Sequence, residues 1–273
     1  MTTERTLYAL FRAMVQTLPG SELDEAGTVS RHHCSPLNPM FKGAWQLSAS
    51  DPSTIDSSID ETLEWFAERG APVVFWWCDA ESPDDLGTRL EARGLQPFEV
   101  GAPVLEAPLD ALRAVHAALA GLRIDQVETE EQLQEWKAAF LASFEVPEFA
   151  VQAWVDATLQ SGLGRTPWRL SVATLAGATV GSAMLFVNGP VAALMQMGVV
   201  PGARRQGIGA ALQLERVAQA RELGCTTAAL FASADGYSPY LRLGFRDTGR
   251  RLSRYLLLTD GAGTVANRRR VVG

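Results

Sequence analysis

Cysteine is scarce in this chain: Cys34, Cys78 and Cys225 are the only three in 273 residues. An odd, widely spaced set excludes a disulfide framework, offers no zinc-ligand spacing and fits a reducing cytosol. His32-His33-Cys34 is the one place where metal-type side chains adjoin. With no partner cluster elsewhere it reads as a polar loop before Ser35-Pro36, and no metal is expected. Long apolar runs are missing as well. Nothing approaches the roughly 20 consecutive apolar residues that a membrane span needs. Met1 to Thr6 puts no apolar stretch behind a basic end, so no secretory signal is read and the expected location is cytoplasmic. Positive charge is in deficit, with a net charge of −7, which argues against nucleic acid as a partner.

What is present is an ordinary globular composition, 47% hydrophobic and 20% charged. The length suits one large domain or two smaller ones. Charge is uneven: residues 1–120 hold 8 Lys and Arg against 18 Asp and Glu, and residues 121–273 hold 16 against 13. The second half is the more welcoming to an anion.

Periodicity and punctuation divide the chain further. Helices are expected over Thr6–Leu18, over Ile55–Arg69 (Ile55, Ile59, Leu63 and Phe66 share a face), and from an N-cap at Ser82 to Gly94. Between the first two lies a loop rich in His, Ser and Pro, running to Pro39, with a short strand beginning at Ala44. Pro72–Cys78 and Phe98–Glu106 read as strands, and Pro108–Leu119 as a linking helix ending at Gly121. A domain boundary placed there gives domains 1–120 and 121–273. In the second, a strand at Leu122–Val127 precedes helices over Glu130–Phe144 and Glu148–Ser161. Strands at Trp168–Leu175 and Val180–Val187 form a hairpin, and Val191–Val200, apolar on both faces, is a central strand. A loop and helix to Leu223, a strand at Thr226–Ser233, a short helix at Ser238–Leu243 and a strand at Arg251–Thr259 complete an α/β (α+β) order of elements.

The informative stretch runs from Gly198 to Leu212, GVVPGARRQGIGAAL, between that central strand and a helix. The first turn of a helix presents unpaired N–H groups and a positive dipole end. Glycines at 207 and 209 clear room for an anion against those groups, and Arg204 and Arg205 add charged donors. A Walker loop is excluded, because Gly207 is followed by Ile208-Gly209 rather than Lys-Ser/Thr. A dinucleotide fingerprint fits poorly, because position 212 is Leu rather than a third glycine.

The pattern Val199-x-Pro201-x-x-Arg204-x-x-Gly207-x-Gly209 resembles the acetyl-CoA-binding motif of the GNAT superfamily of N-acetyltransferases. Downstream, Ser233-x-x-Gly236-x-x-x-Tyr240-x-x-Leu243-Gly244-Phe245 is similar to the family's later motif, usually Asn-x-x-Ala-x-x-x-Tyr-x-x-x-Gly-Phe. The resemblance covers about residues 121–273. It implies a mixed, mostly antiparallel sheet flanked by helices and acetyl-CoA as cosubstrate. It implies that the backbone of Arg204, Arg205, Gln206, Gly207, Ile208, Gly209 and Ala210 cradles the pyrophosphate. Val199 and Val200 would hold the pantetheine arm as a pseudo-strand, with Ser233 in the place of the family's arm-contacting Asn. Tyr240 matches the general acid that protonates the departing thiolate; a packed aromatic is the plain alternative. Some relatives carry a Glu on the central strand as base, but here that strand reads Ala192-Ala193-Leu194-Met195-Gln196-Met197. Glu145, Glu148 and Asp235 are the remaining candidates, each also readable as a surface charge.

In the first half, Leu90-Glu91-Ala92-Arg93-Gly94-Leu95 echoes Leu241-Arg242-Leu243-Gly244-Phe245, and each precedes a strand. The echo and the similar sizes suggest a degenerate second copy of the fold, as in tandem GNAT proteins, without a glycine-arginine loop. The function expected from the resemblance is transfer of an acetyl group to an amine of a small molecule or a protein, by a monomer or a homodimer. The alternative is a catalytically inactive acyl-CoA-binding or regulatory domain, and a ligand-free scaffold is a third reading. Arg268-Arg269-Arg270 reads as a solvated tail.

Overall fold

The structure, a computed structural model, describes residues 2–35, 39–45, 51–112, 119–164, 166–260 and 264–265. In chain order its elements are α1 (Thr3–Val15), β1 (Glu22–Asp24), β2 (Ser30–His33), β3 (Gly43–Trp45), α2 (Pro52–Glu68), β4 (Val73–Cys78), α3 (Leu86–Glu91) and β5 (Gln96–Pro108). There follow β6 (Leu122–Gln126), α4 (Glu130–Phe144), α5 (Phe149–Ser161), β7 (Trp168–Leu175), β8 (Ala178–Asn188) and β9 (Val191–Val199). The chain ends with α6 (Ile208–Glu222), β10 (Thr227–Phe231), α7 (Ala234–Leu243), β11 (Arg246–Asp260) and β12 (Thr264–Val265).

Two compact units share these elements: Met1–Leu10 with Pro103–Gly249, and Phe11–Ala102 with Arg250–Val271. In the first, β6, β7, β8 and β9 form an antiparallel meander, β10 joins β9 in parallel, and Val104–Pro108 of β5 closes the sheet antiparallel to β10. The β7–β8 hairpin turns at Ala176 and Gly177 with φ of 50° and 82°, the paired positive values of a type I′ turn matched to strand twist. Thr129 opens α4 with a capping box to Gln132. One core packs Leu105, Leu185, Leu194, Val217, Leu230 and Phe245; a smaller one packs Ala173, Ala183, Ile208 and Leu212.

The second unit repeats the order in miniature. β1, β2 and β3 form an antiparallel meander, α2 follows, β4 joins β3 in parallel, and β11 closes antiparallel to β4. Its core gathers Ile55, Ile59, Phe66, Val74, Trp76, Leu86, Leu90, Leu95 and Leu257. The turns after α3 and α7 match bond for bond. Leu95 N–H donates to Leu90 O and Gly94 N–H to Glu91 O; Phe245 N–H donates to Tyr240 O and Gly244 N–H to Leu241 O. Both are Schellman ends with glycine in the left-handed region, Gly94 at φ 89° and Gly244 at φ 105°.

The expected mixed, mostly antiparallel, helix-flanked architecture is what forms, with a similar strand order in each unit. Several particulars differ from the sequence reading. The division at 120/121 does not coincide with the compact units. The end of β5 supplies the strand beside β10, and the chain beyond Gly249 supplies the one beside β4, so each half completes its sheet with a strand from the other half. His32 and His33 are strand rather than loop, with Cys34 just past its end: β2 pairs with both β1 and β3, and the buried His32 ring faces Phe11 and meets the Met40 carbonyl. Ser82 does not cap a helix. It closes a turn with Asp79, and α3 begins at Leu86 behind Asp85. After Pro108 comes a single 3-10 turn, Leu109–Ala111; the rest of the expected linking helix, residues 113–118, lies outside the described residues, as does the Arg268–Arg270 tail. Among the described residues no helix is long and apolar enough to cross a membrane, and no group of three His, Cys, Asp or Glu gathers to hold a metal ion.

Candidate functional site

Strand β9 sets the frame. It is apolar and pairs on both sides at its start, but only on one side at its end. β10 pairs with Val191–Ala193 and no further, while β8 follows β9 as far as Val199. From Leu194 onward, the edge of β9 that faced β10 pairs with no strand among the described residues. Within this free stretch the β8–β9 register shifts: Ser182 faces Gly198 and Met184 faces Met195, leaving Gln196 and Met197 opposite Ala183 alone. Gln196 has φ 49°, a left-handed value for a non-glycine residue. This is a β-bulge, a device that bends a strand and releases one residue from the ladder.

A bulge orphans carbonyls, and side chains from two helices satisfy them here. Trp136 of α4 donates its indole N–H to Ala183 O at 3.0 Å. Arg216 of α6 donates from Nη1 to Met184 O at 3.0 Å and to Met195 O at 2.9 Å, and from Nη2 to Met197 Sδ and to Gln213 Oε1. Arg216 is fully buried, and desolvation brings its guanidinium pKa down to about 10.

The loop after β9 is held from within. Val200 N–H donates to Val180 O, and a 3-10 turn follows over Pro201–Ala203. Arg204, expected as a donor to an anion, sends its N–H to Pro201 O and its guanidinium to Val199 O (3.0 Å) and Ser143 O (2.9 Å). It ties the strand end to α4, so the available N–H groups begin one residue later. Arg205 takes φ 62°, its side chain exposed and without a partner among the described residues. Gln206 Nε2 reaches Gly202 O. Gly207 then caps α6 with φ 89° and no capping side chain. A Cβ built there would meet nothing within 4 Å. The first helical bond is Ala211 N–H to Gly207 O. The N–H groups of Ile208, Gly209 and Ala210 therefore precede the helix ladder, at its positive end, beside open space. Gly209 faces Val199 and Met197 at ordinary contact distance, which puts the helix start against the free end of β9.

Tyr240 lies on α7, the helix after β10. Its ring lies against Gly236, where a Cβ would stand 2.9 Å from Tyr240 Cε2, and edge-on to Phe245 at 5.7 Å. Burial raises the phenol pKa above its usual 10, opposed by the positive charge of Arg216. Tyr237, on the same helix, is engaged with Asp247 at 2.8 Å. Ser233 caps α7, its Oγ accepting from Gly236 N–H at 3.2 Å. That use leaves the hydroxyl hydrogen to donate elsewhere. Of the candidate bases, Glu148 is paired with Lys137 at 2.5 Å, a bond that holds its pKa below the usual carboxylate range. Glu145 sits at the left-handed C-cap of α4 with φ 53°, and Asp235 is exposed in the first turn of α7.

The topology thus brings together the end of β9 and the start of α6, while Tyr240 on α7 packs against the core that holds Leu194 and Val217. Arg216, Gln213 and the Gln196 bulge did not emerge from motif reading. The legible signal was three long polar residues, Gln213, Arg216 and Gln219, among the buried positions of α6, which otherwise are Ile208, Leu212, Val217 and Ala220.

Residues 109–240 match a family model described as "Acetyltransferase (GNAT) domain". No curated protein matches the chain. Among solved structures, a GCN5-related N-acetyltransferase from Kribbella flavida is 18% identical, with a TM-score of 0.70 over 92% of this chain and 93% of that one. A tandem GNAT protein from the clavulanic acid biosynthesis pathway is 13% identical, with a TM-score of 0.58 over 93% and 95%. A GCN5-related N-acetyltransferase from Sphaerobacter thermophilus is 18% identical, with a TM-score of 0.61 over 86% and 81%. At these identities the likeness is one of fold.

Proposed function

We propose, from the match of residues 109–240 to the GNAT acetyltransferase domain, that this chain moves an acetyl group from acetyl-CoA to an amine. The observation that carries the reading is one juxtaposition. A helix start at Gly207 with no capping side chain follows closely on a strand whose edge, among the described residues, is unpaired from Leu194, and a half-buried tyrosine stands on the next helix.

The residues fit CoA. The N–H groups of Arg205–Ala210, with the exposed Arg205 guanidinium, suit a pyrophosphate, and the space over Gly207 admits it. The free edge of β9 to Val199 offers backbone partners to an amide-containing arm, as an added strand would use them. Ser233 retains a hydroxyl hydrogen for the same arm. Bound acetyl-CoA supplies the thioester carbonyl and the sulfur leaving group. Tyr240, a phenol that is neutral at physiological pH and whose pKa burial raises further, holds a proton for that sulfur. The bulge at Gln196 frees backbone from the ladder at the middle of the site, and such preorganised N–H groups stabilise developing negative charge. Placing amine and thioester together accounts for most of the remaining rate. The acceptor amine, of a small molecule or a protein, sheds its proton to water or to an exposed carboxylate.

The first half fits a degenerate copy that no longer holds cofactor. Its α2 begins at Asp51, whose own carboxylate accepts from Thr54 N–H, and Pro52 removes a further donor. Leu90 stands at the turn position that Tyr240 holds in the other half.

Calorimetric titration with acetyl-CoA and CoA tests the reading, followed by thiol release from acetyl-CoA across a panel of amines. Micromolar binding with release on at least one amine is expected. Absence of binding at millimolar ligand would sink it. A CoA-binding domain without turnover is the second reading, favoured by Gln196 standing on the central strand where a carboxylate base would lie; binding without release on any amine selects it.

A further inference from the structure

We propose that Arg204 is a positioning residue for the acceptor rather than a ligand of CoA. Its backbone adjoins the cofactor loop and its guanidinium holds the last turn of α4 against the end of β9, so that CoA binding fixes the wall past which the amine reaches the thioester. The inference rests on the reading of the loop given above and adds a link from that loop to the acceptor side.

The end of β9 is covered differently on its two faces. Met197 and Val199 point to α6, where they pack with Ile208 and Leu212 and meet Gly209. Gly198, between them, points to the other face, as alternation along a strand requires. A Cβ there would stand 2.4 Å from Ser143 Cβ and 3.0 Å from Phe144 Cε2. The last turn of α4 therefore lies directly on the β9 backbone, over the stretch whose other edge pairs with no strand among the described residues. Packed side chains occupy the α6 face, so an amine approaching a thioester on that edge comes past the end of α4.

That end is held from outside the helix. A helix leaves its last carbonyls without intrahelical donors. The C-cap here is Glu145 at φ 53°, a left-handed value that glycine would take without steric cost. Its N–H reaches Leu141 O, which leaves Ser143 O beyond the ladder. Arg204 Nη2 donates to that carbonyl at 2.9 Å, while its Nε donates to Val199 O at 3.0 Å. A cation at the negative end of a helix is favourable in itself. The planar fork of a guanidinium suits two fixed acceptors at once, which an ammonium does not match. The N–H groups left for an anion start at the next residue, Arg205. A pyrophosphate held there fixes the backbone from which the Arg204 side chain springs, and through it the end of α4.

Hydrogen exchange read by mass spectrometry, with and without CoA, tests this link and needs no acceptor. Arg204→Met keeps the length of the side chain and removes its donors. Arg204→Lys keeps the charge without bridging both carbonyls, and it serves for the exchange measurement if the Met variant fails to fold. In the parent, saturating CoA is expected to slow exchange by about fivefold or more over residues 205–211 and also over residues 141–148. In the Met variant the loop should keep this protection and the end of α4 should lose it. CoA affinity, measured by calorimetry, should stay within about threefold in both variants, because a rarely open α4 end lowers the binding-competent fraction little. Binding about tenfold weaker in the Met variant and restored in the Lys variant would mark Arg204 as a charge ligand of the cofactor and overturn the proposal. A parent whose protection stops at the loop, or a Met variant that keeps protection at the end of α4, overturns it as well. Each of these outcomes leaves the CoA reading standing, whereas a parent that fails to bind CoA overturns that reading and the link with it.

Discussion

Gly207 carries two separable properties, and substituting it twice separates them. Its φ of 89° is a conformation that a side chain makes costly, and the space where a Cβ would go is empty. Alanine should therefore cost only the backbone strain, about 1–2 kcal/mol, with no steric collision. For a domain of this size that lowers Tm by roughly 2–8 °C. Gly207→Glu should pay the same strain and add a negative charge where the pyrophosphate is proposed to lie. At about 6 Å and an effective dielectric near 40, each ligand charge repels it by about 1.4 kcal/mol. Two charges give about 3 kcal/mol, or roughly a hundredfold in Kd. The two variants should thus melt together but bind differently, Ala within about fivefold of the parent and Glu about a hundredfold weaker. The difference should shrink as salt is raised, because the site is open to solvent. Circular dichroism melts and calorimetric titration with CoA at low and high salt measure both. Equal weakening by Ala and Glu, or a Glu effect indifferent to salt, would refute the placement of the anion over this glycine.

Tyr240→Phe should lower kcat by about a hundredfold or more while leaving CoA affinity within about threefold, measured by thiol release and calorimetry; undiminished turnover removes the tyrosine from the chemistry. Gly236→Ala drives a Cβ to 2.9 Å from the Tyr240 ring, so it should cost about 1–3 kcal/mol of stability and lower kcat more than CoA affinity, by the same two assays. His32 is buried and its pKa is lowered to about 4, chiefly by desolvation. The unfolded chain therefore binds the extra proton between pH 6.5 and 4, and stability is lost as pH falls through that window, by up to about 3 kcal/mol. Urea unfolding of the parent and His32→Gln across that range should show the shallower slope in the variant, and parallel slopes contradict the assignment. A fragment of residues 121–273 lacks the strand beside β10 and the buried Leu105, Leu109 and Leu112, each worth about 1.5–3 kcal/mol. It should be unfolded or aggregated by circular dichroism and size-exclusion chromatography, whereas a fragment of residues 103–249 restores those residues and should be the more soluble of the two.

The elements that sequence patterning located were those with strong local signals: the amphipathic α2, the apolar β4 and β9, and the glycine loop opening α6. The misreadings share a physical cause. Ser82-Pro83-Asp84-Asp85 carries good capping chemistry, but the Ser82 hydroxyl finds Asp79 first and closes a turn. His32-His33-Cys34 looks polar, yet strand pairing on both sides buries His32 and stacks it on an aromatic ring. The linear boundary at Gly121 cannot represent β5 and β11, because each strand pairs with residues far along the chain, and no local pattern encodes such an exchange. In the site, the motif named the glycine and the tyrosine. It also named Arg204, whose guanidinium here bonds the carbonyls of Val199 and Ser143. Arg216 was missed because a charged residue on a helix is ordinarily solvated; only the tertiary fold turns that face inward.

The two halves differ at the points where chemistry is possible, and the differences run in one direction. Both have a meander, a helix, a parallel strand and a Schellman turn. In the second half the helix starts on a bare glycine, its inner stripe carries a charge, and the turn position is tyrosine. In the first, the helix starts on a carboxylate that fills its own dipole end, the stripe of Ile55, Ser58, Ile59, Thr62 and Phe66 carries no charge, and the turn position is leucine. Each change in the first half is the one that lowers the energy of an unliganded fold: a capped helix is stabler than an uncapped one by about 1 kcal/mol, and an apolar contact replaces a polar group needing a partner. Each feature retained in the second half is costly without a ligand, namely open N–H groups, a left-handed Gln196, and a guanidinium out of water. A sequence free to stabilise one half in this way has kept strain and buried charge in the other, and they converge on the free end of β9. That distribution of cost supports placing the acyl-transfer chemistry there, with the first half serving as scaffold.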